Sequence, residues 1–301
     1  MDRLILYTIS KIKYEWSLPT PTWKSARLTQ HDREFIEKES QTKSNFDKEN
    51  VVQHMWNEYK RTDSVKCTVR ETQHGRVVFF HKQNTELNEI PWELWGRIFR
   101  ACSSTTSAAT PIPTVYFFGS EAKRYFPPLH QKITEKNING GYTYPCNLST
   151  IVIYRKEDAT RVLIHELLHA YCTDAPHNRN NIDIMEAETE AWAELFYCIF
   201  LSRGNNHIAR LNIRKQAEWM SQQNKIVERY INKSQKEFPW RYTIGKEEVW
   251  KRWMIAYTPT TTTTSKEKMD TIDTYMSLRL TRPPSNATKK EFNIADYSTI
   301  L

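Results

Sequence analysis

Five residues near the middle of the chain, His165-Glu166-Leu167-Leu168-His169, join two metal-binding side chains to a carboxylate. A helix turns about 100° per residue, so positions four apart lie about 40° apart on one face. Two imidazoles at that spacing can share one cation. The glutamate beside the first is placed to take a proton from a water that the cation polarises. The chemistry this spacing can perform is hydrolysis by an activated water, with His165 and His169 as ligands, Glu166 as general base and one Zn2+ per chain as cofactor. Such a site uses three protein ligands and keeps a fourth position open, so a third ligand is required.

Three sources compete for that place. The first is a second helical segment, Glu186-Ala187-Glu188-Thr189-Glu190-Ala191-Trp192-Ala193-Glu194, on which Glu186, Glu190, Glu194 and Tyr197 share a face. Glu188 points about 160° away from Glu190. Glutamates at successive i,i+4 spacings repel one another, and a cation with its histidines would offset that repulsion. The competing explanation is a solvated acidic face. His177 and Asp174 are the other two sources.

These residues need elements to hold them. Alternating apolar residues predict strands at 65–70 and 76–81 around His74-Gly75, then at 114–118 and 150–155. Pro91 opens a helix over 92–102. Two of the chain's seven glycines are adjacent, in Asn139-Gly140-Gly141-Tyr142-Thr143, where close backbone approach is expected. Asp158 is the expected N-cap of a helix over 159–172. On that helix Leu163, Ile164, Leu167, Leu168 and Tyr171 form a core face, and the histidines fall on the other side. Further helices are predicted at 29–40, 46–60, 184–202, 206–233 and 246–257. The last is Trp-rich, and its Trp250 and Trp253 read as a core stripe. Residues 258–264 are a Thr-rich linker, followed by a short helix over 266–280 and a tail. The expected division is a helical extension over 1–63, a catalytic domain over 64–257, and the linker and tail over 258–301.

The motif with Thr189-Glu190-Ala191-Trp192-Ala193-Glu194-Leu195-Phe196 about twenty residues on resembles the gluzincin branch of the zincin metallopeptidases. In that branch the third ligand is a glutamate in a segment resembling N-E-G-x-A-E-x-F. Glu190, Ala193, Glu194 and Phe196 match; Thr189 and Ala191 depart from the pattern. The resemblance covers residues 65–203. It implies that zinc is held by His165, His169 and Glu190, with Glu166 as base and Glu194 as the carboxylate that orients a ligand histidine. It implies an α+β fold: a small mixed sheet with an edge strand over the helix that carries the motif, followed by a mostly helical C-terminal part. Residues 139–144 take the edge-strand place, where Gly141 and Tyr142 would bind an extended protein or peptide substrate by main-chain hydrogen bonds. Tyr142, Tyr197, His207 and Tyr257 are the candidates to stabilise an oxyanion.

Composition sets the remaining bounds. The 301 residues are 39% hydrophobic and 12% aromatic, enough for a real core and against wholesale disorder. A net charge of +8 permits an acidic partner, a membrane surface or nucleic acid, but no basic run or motif supports the last. Five dispersed cysteines with no C-x-x-C suggest packed thiols in a reducing, cytoplasmic or virus-packaged setting. The N-terminal segment has too short an apolar stretch for a signal peptide or anchor, and no membrane span is expected. Two further classes stay open: a catalytically silent zincin-fold structural protein, and a nucleic-acid-associated protein in which the motif is accidental.

Overall fold

The computed structural model describes residues 2–42, 44–83, 90–103, 111–173, 181–231, 238–253 and 255. It is a mixed α+β protein with two compact units. One comprises Leu18–Lys123 and Asn139–Thr173; the other comprises Met1–Ser17, Arg124–Ile138 and Asp174–Leu301. The boundary expected at residue 63 is therefore not where the units divide. The expected linker, short helix and tail beyond residue 257 lie outside the described residues, as do His177, Asp174 and Tyr257.

The chain enters on α1 (Asp2–Ser17), which belongs to the second unit. The first unit then begins with β1 (Lys24–Ala26), α2 (Gln30–Gln41) and α3 (Val51–Arg61). Thr29 starts α2 with a capping box: its hydroxyl accepts from the Asp32 N–H while Asp32 reaches back to the Thr29 N–H. Strands β2 (Val65–Thr72) and β3 (Gly75–Lys82) form the expected hairpin, with Thr72 opposite Gly75. Helix α4 (Trp92–Ser103) follows Pro91 and leads to β4 (Thr114–Phe118).

After α5 (Glu135–Ile138) of the second unit come β5 (Gly141–Tyr142), β6 (Ile151–Ile153) and α6 (Ala159–Ala170). The sheet order is β1-β2-β3-β4-β6-β5. β4 runs parallel to β3 and to β6, and β5 closes the sheet as an antiparallel edge strand.

The period of two sorts the sheet's side chains. Val78, Phe80, Tyr116, Phe118, Val152, Tyr154 and Tyr142 join Ile36, Val52, Met55 and Trp56 of α2 and α3 in one core. On the opposite face Phe117 meets Trp95 of α4. Being buried on both faces, β3 and β4 read as near-continuous apolar runs, and Phe79 and Phe80 stack on Phe117 and Phe118 across the parallel register. Residues 18–63 thus supply one layer over the sheet. A buried salt bridge ties that layer down: Arg76 on β3 donates to both Asp32 oxygens at 2.7 Å, and the Tyr116 hydroxyl donates to the same carboxylate at 3.1 Å.

The second unit is helical. It contains α1, α5, α7 (Ile182–Leu201), α8 (Asn206–Val227), α9 (Phe238–Tyr242) and α10 (Ile244–Arg252). Asn181 and Asn205 cap α7 and α8 by accepting from the third N–H beyond them. Gly204 ends α7 at φ +76°, where a Cβ would fall 2.4 Å from the Lys13 backbone, so glycine is required for both reasons. Trp250 is fully buried and donates to the Ala191 carbonyl at 3.0 Å, which confirms its place in the core. Among the described residues no helix is long and apolar enough to cross a membrane.

Candidate metal centre

The HExxH residues lie on α6 as expected. Val162, Leu163, Ile164 and Leu167 are buried, and the Trp95 indole donates to the Thr160 hydroxyl at 2.9 Å. The helix is buried on the histidine side as well: His165 and His169 are each 6% exposed and Glu166 5%. Asp158 departs from its expected role. It precedes the helix in the left-handed region, at φ 60°, and its side chain makes no cap hydrogen bond.

The two Nε2 atoms of His165 and His169 face each other at 3.0 Å, with ring planes 78° apart. Two nitrogens bound to one tetrahedral zinc at 2.0–2.1 Å would be about 3.3 Å apart. The pair therefore needs only a few tenths of an ångström of adjustment to take that ion. The same atoms at this distance can share an N–H···N hydrogen bond, so the fit is to both.

Gly141 of the edge strand packs directly on α6. A Cβ built there would lie 2.7 Å from the Val152 carbonyl oxygen, 2.7 Å from Val162 Cγ1 and 3.5 Å from Glu166 Oε1. Only glycine allows this approach, which brings the edge strand's backbone beside the Glu166 carboxyl. The ladder fixes where the Gly141 main-chain groups point. Tyr154 N–H donates to the Gly140 carbonyl at 2.8 Å, and Gly141 is opposite Ile153. Hydrogen-bonded pairs alternate along an antiparallel ladder, so Gly140 and Tyr142 bond inward to β6. The N–H and carbonyl of Gly141 turn to the open edge.

Tyr142 behaves differently from its neighbour. Its ring is 6% exposed on the face away from Glu166, and its hydroxyl donates to Glu39 Oε2 at 2.7 Å. Burial, then the adjacent Glu39 charge, pushes its pKa far above the usual tyrosine range. Tyr142 is thus no oxyanion donor on the Glu166 side. Tyr197 is buried on α7, and His207 is exposed in the first turn of α8.

The far end of α6 corrects the expectation of five packed thiols. Cys146 and Cys172 form a disulfide, with Cα atoms 4.8 Å apart. Their backbone N–H groups both donate to the carbonyl of His169, each at 3.0 Å. The bridge clips the last turn of α6 to the segment after the edge strand, and it removes the cysteine argument for a reducing compartment. Cys67, Cys102 and Cys198 are outside the disulfide.

In the helical unit, Glu190 is 2% exposed and Glu194 is fully buried, on the same face of α7. Both meet a lysine that sequence reasoning did not single out. Lys246 Nζ on α10 lies 3.1 Å from Glu194 Oε2 and 3.8 Å from Glu190 Oε2, and Lys246 is itself 2% exposed. A sequence signal existed: Lys246 stands one turn before Trp250, on the helix face that Trp250 buries. Glu188 diverges from Glu190 as the helical wheel indicates and pairs with Arg252 at 2.6 Å. Trp192 and Phe196 are half-buried and stack on each other, while Phe200 is buried.

No family model, curated protein or solved structure matches this chain.

Proposed function

We propose that this protein is a zinc-dependent metallopeptidase of the gluzincin type that cleaves a protein or peptide substrate. The resemblance assigns His165, His169 and Glu190 as the ligands of one zinc ion per chain. The observation that carries the reading lies on α6: two buried imidazoles face each other through Nε2 at 3.0 Å, and the carboxyl between them in sequence is beside the Gly141 backbone of an open sheet edge. The order of elements supports it too, since an antiparallel edge strand, a strand and then the motif helix follow one another as in the zincin layout.

A bound zinc ion supplies Lewis-acid polarisation of the scissile carbonyl and acidifies the attacking water. Glu166 takes the proton that this water loses and delivers it to the leaving amine. Gly141 offers its N–H and carbonyl to an extended substrate, adding a strand to the sheet and bringing the scissile bond beside Glu166. The Lys246 ammonium balances the charge of Glu194 and Glu190 and holds both carboxylates in place.

The test is hydrolysis of a quenched-fluorescent peptide library by purified wild type and Glu166→Gln. The variant should keep its zinc and lose turnover by about 10²–10⁴-fold, the usual worth of a general base. Wild-type turnover in Glu166→Gln would reject the mechanism.

A further inference from the structure

We infer that Phe46, stacked on Tyr142, and Tyr144, held by Glu39, form the subsite on the far face of the edge strand and select an apolar or aromatic substrate residue. The inference rests on the peptidase reading and adds to it the side-chain class the enzyme prefers.

The pleat dictates where a bound strand sends its side chains. Gly141 faces α6, so the substrate residue paired with it also points to that side, toward Glu166. The substrate residues on either side of it point to the opposite face. On that face stands Tyr142, and the Phe46 ring stacks on it at 5.5 Å with planes 23° apart. Phe46 is 52% exposed and Tyr144 is 46% exposed, two large aromatic surfaces beside an open strand edge. Exposed aromatic rings offer large apolar contact area to a side chain of a bound strand.

Tyr144 is held through its hydroxyl and Phe46 through its backbone. Glu39 of α2 accepts the Tyr142 hydroxyl on Oε2 at 2.7 Å and the Tyr144 hydroxyl on Oε1 at 3.3 Å. The Phe46 carbonyl accepts from the Tyr154 hydroxyl at 2.5 Å and from Asn139 Nδ2 at 3.4 Å. Next in the chain, Asp47 Oδ2 accepts the Val52 N–H at 3.0 Å in the first turn of α3. An exposed ring on an anchored backbone is pre-organised for contact, so little entropy is lost when a substrate side chain covers it. Phe46 and Glu39 come from the 1–63 region, which gives that region a part in substrate choice.

The experiment uses the full-length, zinc-loaded protein and a peptide library randomised at the positions flanking the scissile bond. Wild type should favour Phe, Tyr, Leu or Met over Ser at a position adjacent to the residue paired with Gly141, by about tenfold or more in kcat/KM. Phe46→Ala and Tyr144→Ala should level that preference by raising KM with kcat kept, because they remove binding common to ground and transition states. Tyr144→Phe, which keeps the ring, should retain most of it. An unchanged profile in both alanine variants overturns the subsite and leaves the peptidase standing. A zinc-loaded wild type that cleaves no member of the library overturns the peptidase reading and the subsite together.

Discussion

Gly141→Ala is the sharpest perturbation of the proposed geometry. The added methyl would stand 2.7 Å from the Val152 carbonyl oxygen and 2.7 Å from Val162 Cγ1. Comfortable carbon contacts are about 3.5–4.0 Å, so one partner must move by roughly 0.8 Å or more. Neither yields easily: the carbonyl is backbone of a paired strand, and a helical valine has one preferred rotamer. The edge strand is therefore displaced from α6. Such overpacking costs about 1–3 kcal/mol. A domain of 150–250 residues loses about 2–4 °C of melting temperature per kcal/mol.

The functional effect should be larger than the loss of stability. A misplacement near 1 Å can cost about 10²-fold in rate, and here it falls between the substrate strand and Glu166. Zinc binding should survive, because His165 and His169 sit on α6 and not on the displaced strand. The assay is a thermal melt, a zinc determination and kcat/KM on one preparation. A Gly141→Ala protein that melts and turns over like wild type would refute the packing argument. One that melts normally but loses its zinc would refute the separation of strand from metal.

Three further outcomes follow from the same contacts. Cys172→Ser opens a cross-link spanning 26 residues, and chain entropy puts the loss at about 3.5 kcal/mol. Urea unfolding with and without a dithiol should show that loss in wild type on reduction and no reductant effect in the variant. Lys246→Met leaves Glu190 and Glu194 buried without their ammonium, a loss of about 3–5 kcal/mol. Zinc should restore more stability to this variant than it adds to wild type, and equal gains in paired melts would contradict the assigned ligand.

The third outcome concerns Asp32. Burial opposes the Asp32 charge, but hydrogen bonds from Arg76 and Thr29 prevail and hold its pKa below 3.8. A depressed carboxylate contributes stability above its unfolded pKa and loses it as pH falls through the folded value. Wild type should therefore lose stability relative to Asp32→Asn as pH drops below about 4, and parallel pH profiles would refute the pairing.

Much of the first unit was legible because its signals are local. The strands at 65–72, 75–82 and 114–118 follow from β-branched and aromatic runs, and α6 begins at the residue expected. What escaped depends on tertiary context. β1 is three residues long and exists through its pairing to β2. The buried stripe of α1, Ile5, Ile9 and Ile12, is interleaved with exposed Leu4, Leu6, Tyr7 and Tyr14, which blurs its period. The disulfide joins cysteines 26 apart in sequence, and only the fold brings them together.

The site shows the same division. His165, Glu166 and His169 were fixed by spacing alone, since a helix turn sets their relation. Glu190 came from a resemblance, and the pairing of Lys246 with Glu190 and Glu194 became visible only when α10 packed against α7. Glu39 could not be foreseen, because its partners Tyr142 and Tyr144 lie more than a hundred residues away.

The most direct measurement is the zinc content of the purified protein, taken beside His165→Ala, Glu190→Ala, Glu186→Ala and Glu188→Ala. Glu186 stands one turn before Glu190 on the same helix face and is the rival carboxylate; Glu188 points elsewhere. About one zinc per chain is expected, lost in His165→Ala, lost or much weakened in Glu190→Ala, and kept in the other two. A folded wild type that takes up no zinc after incubation with the metal would contradict it.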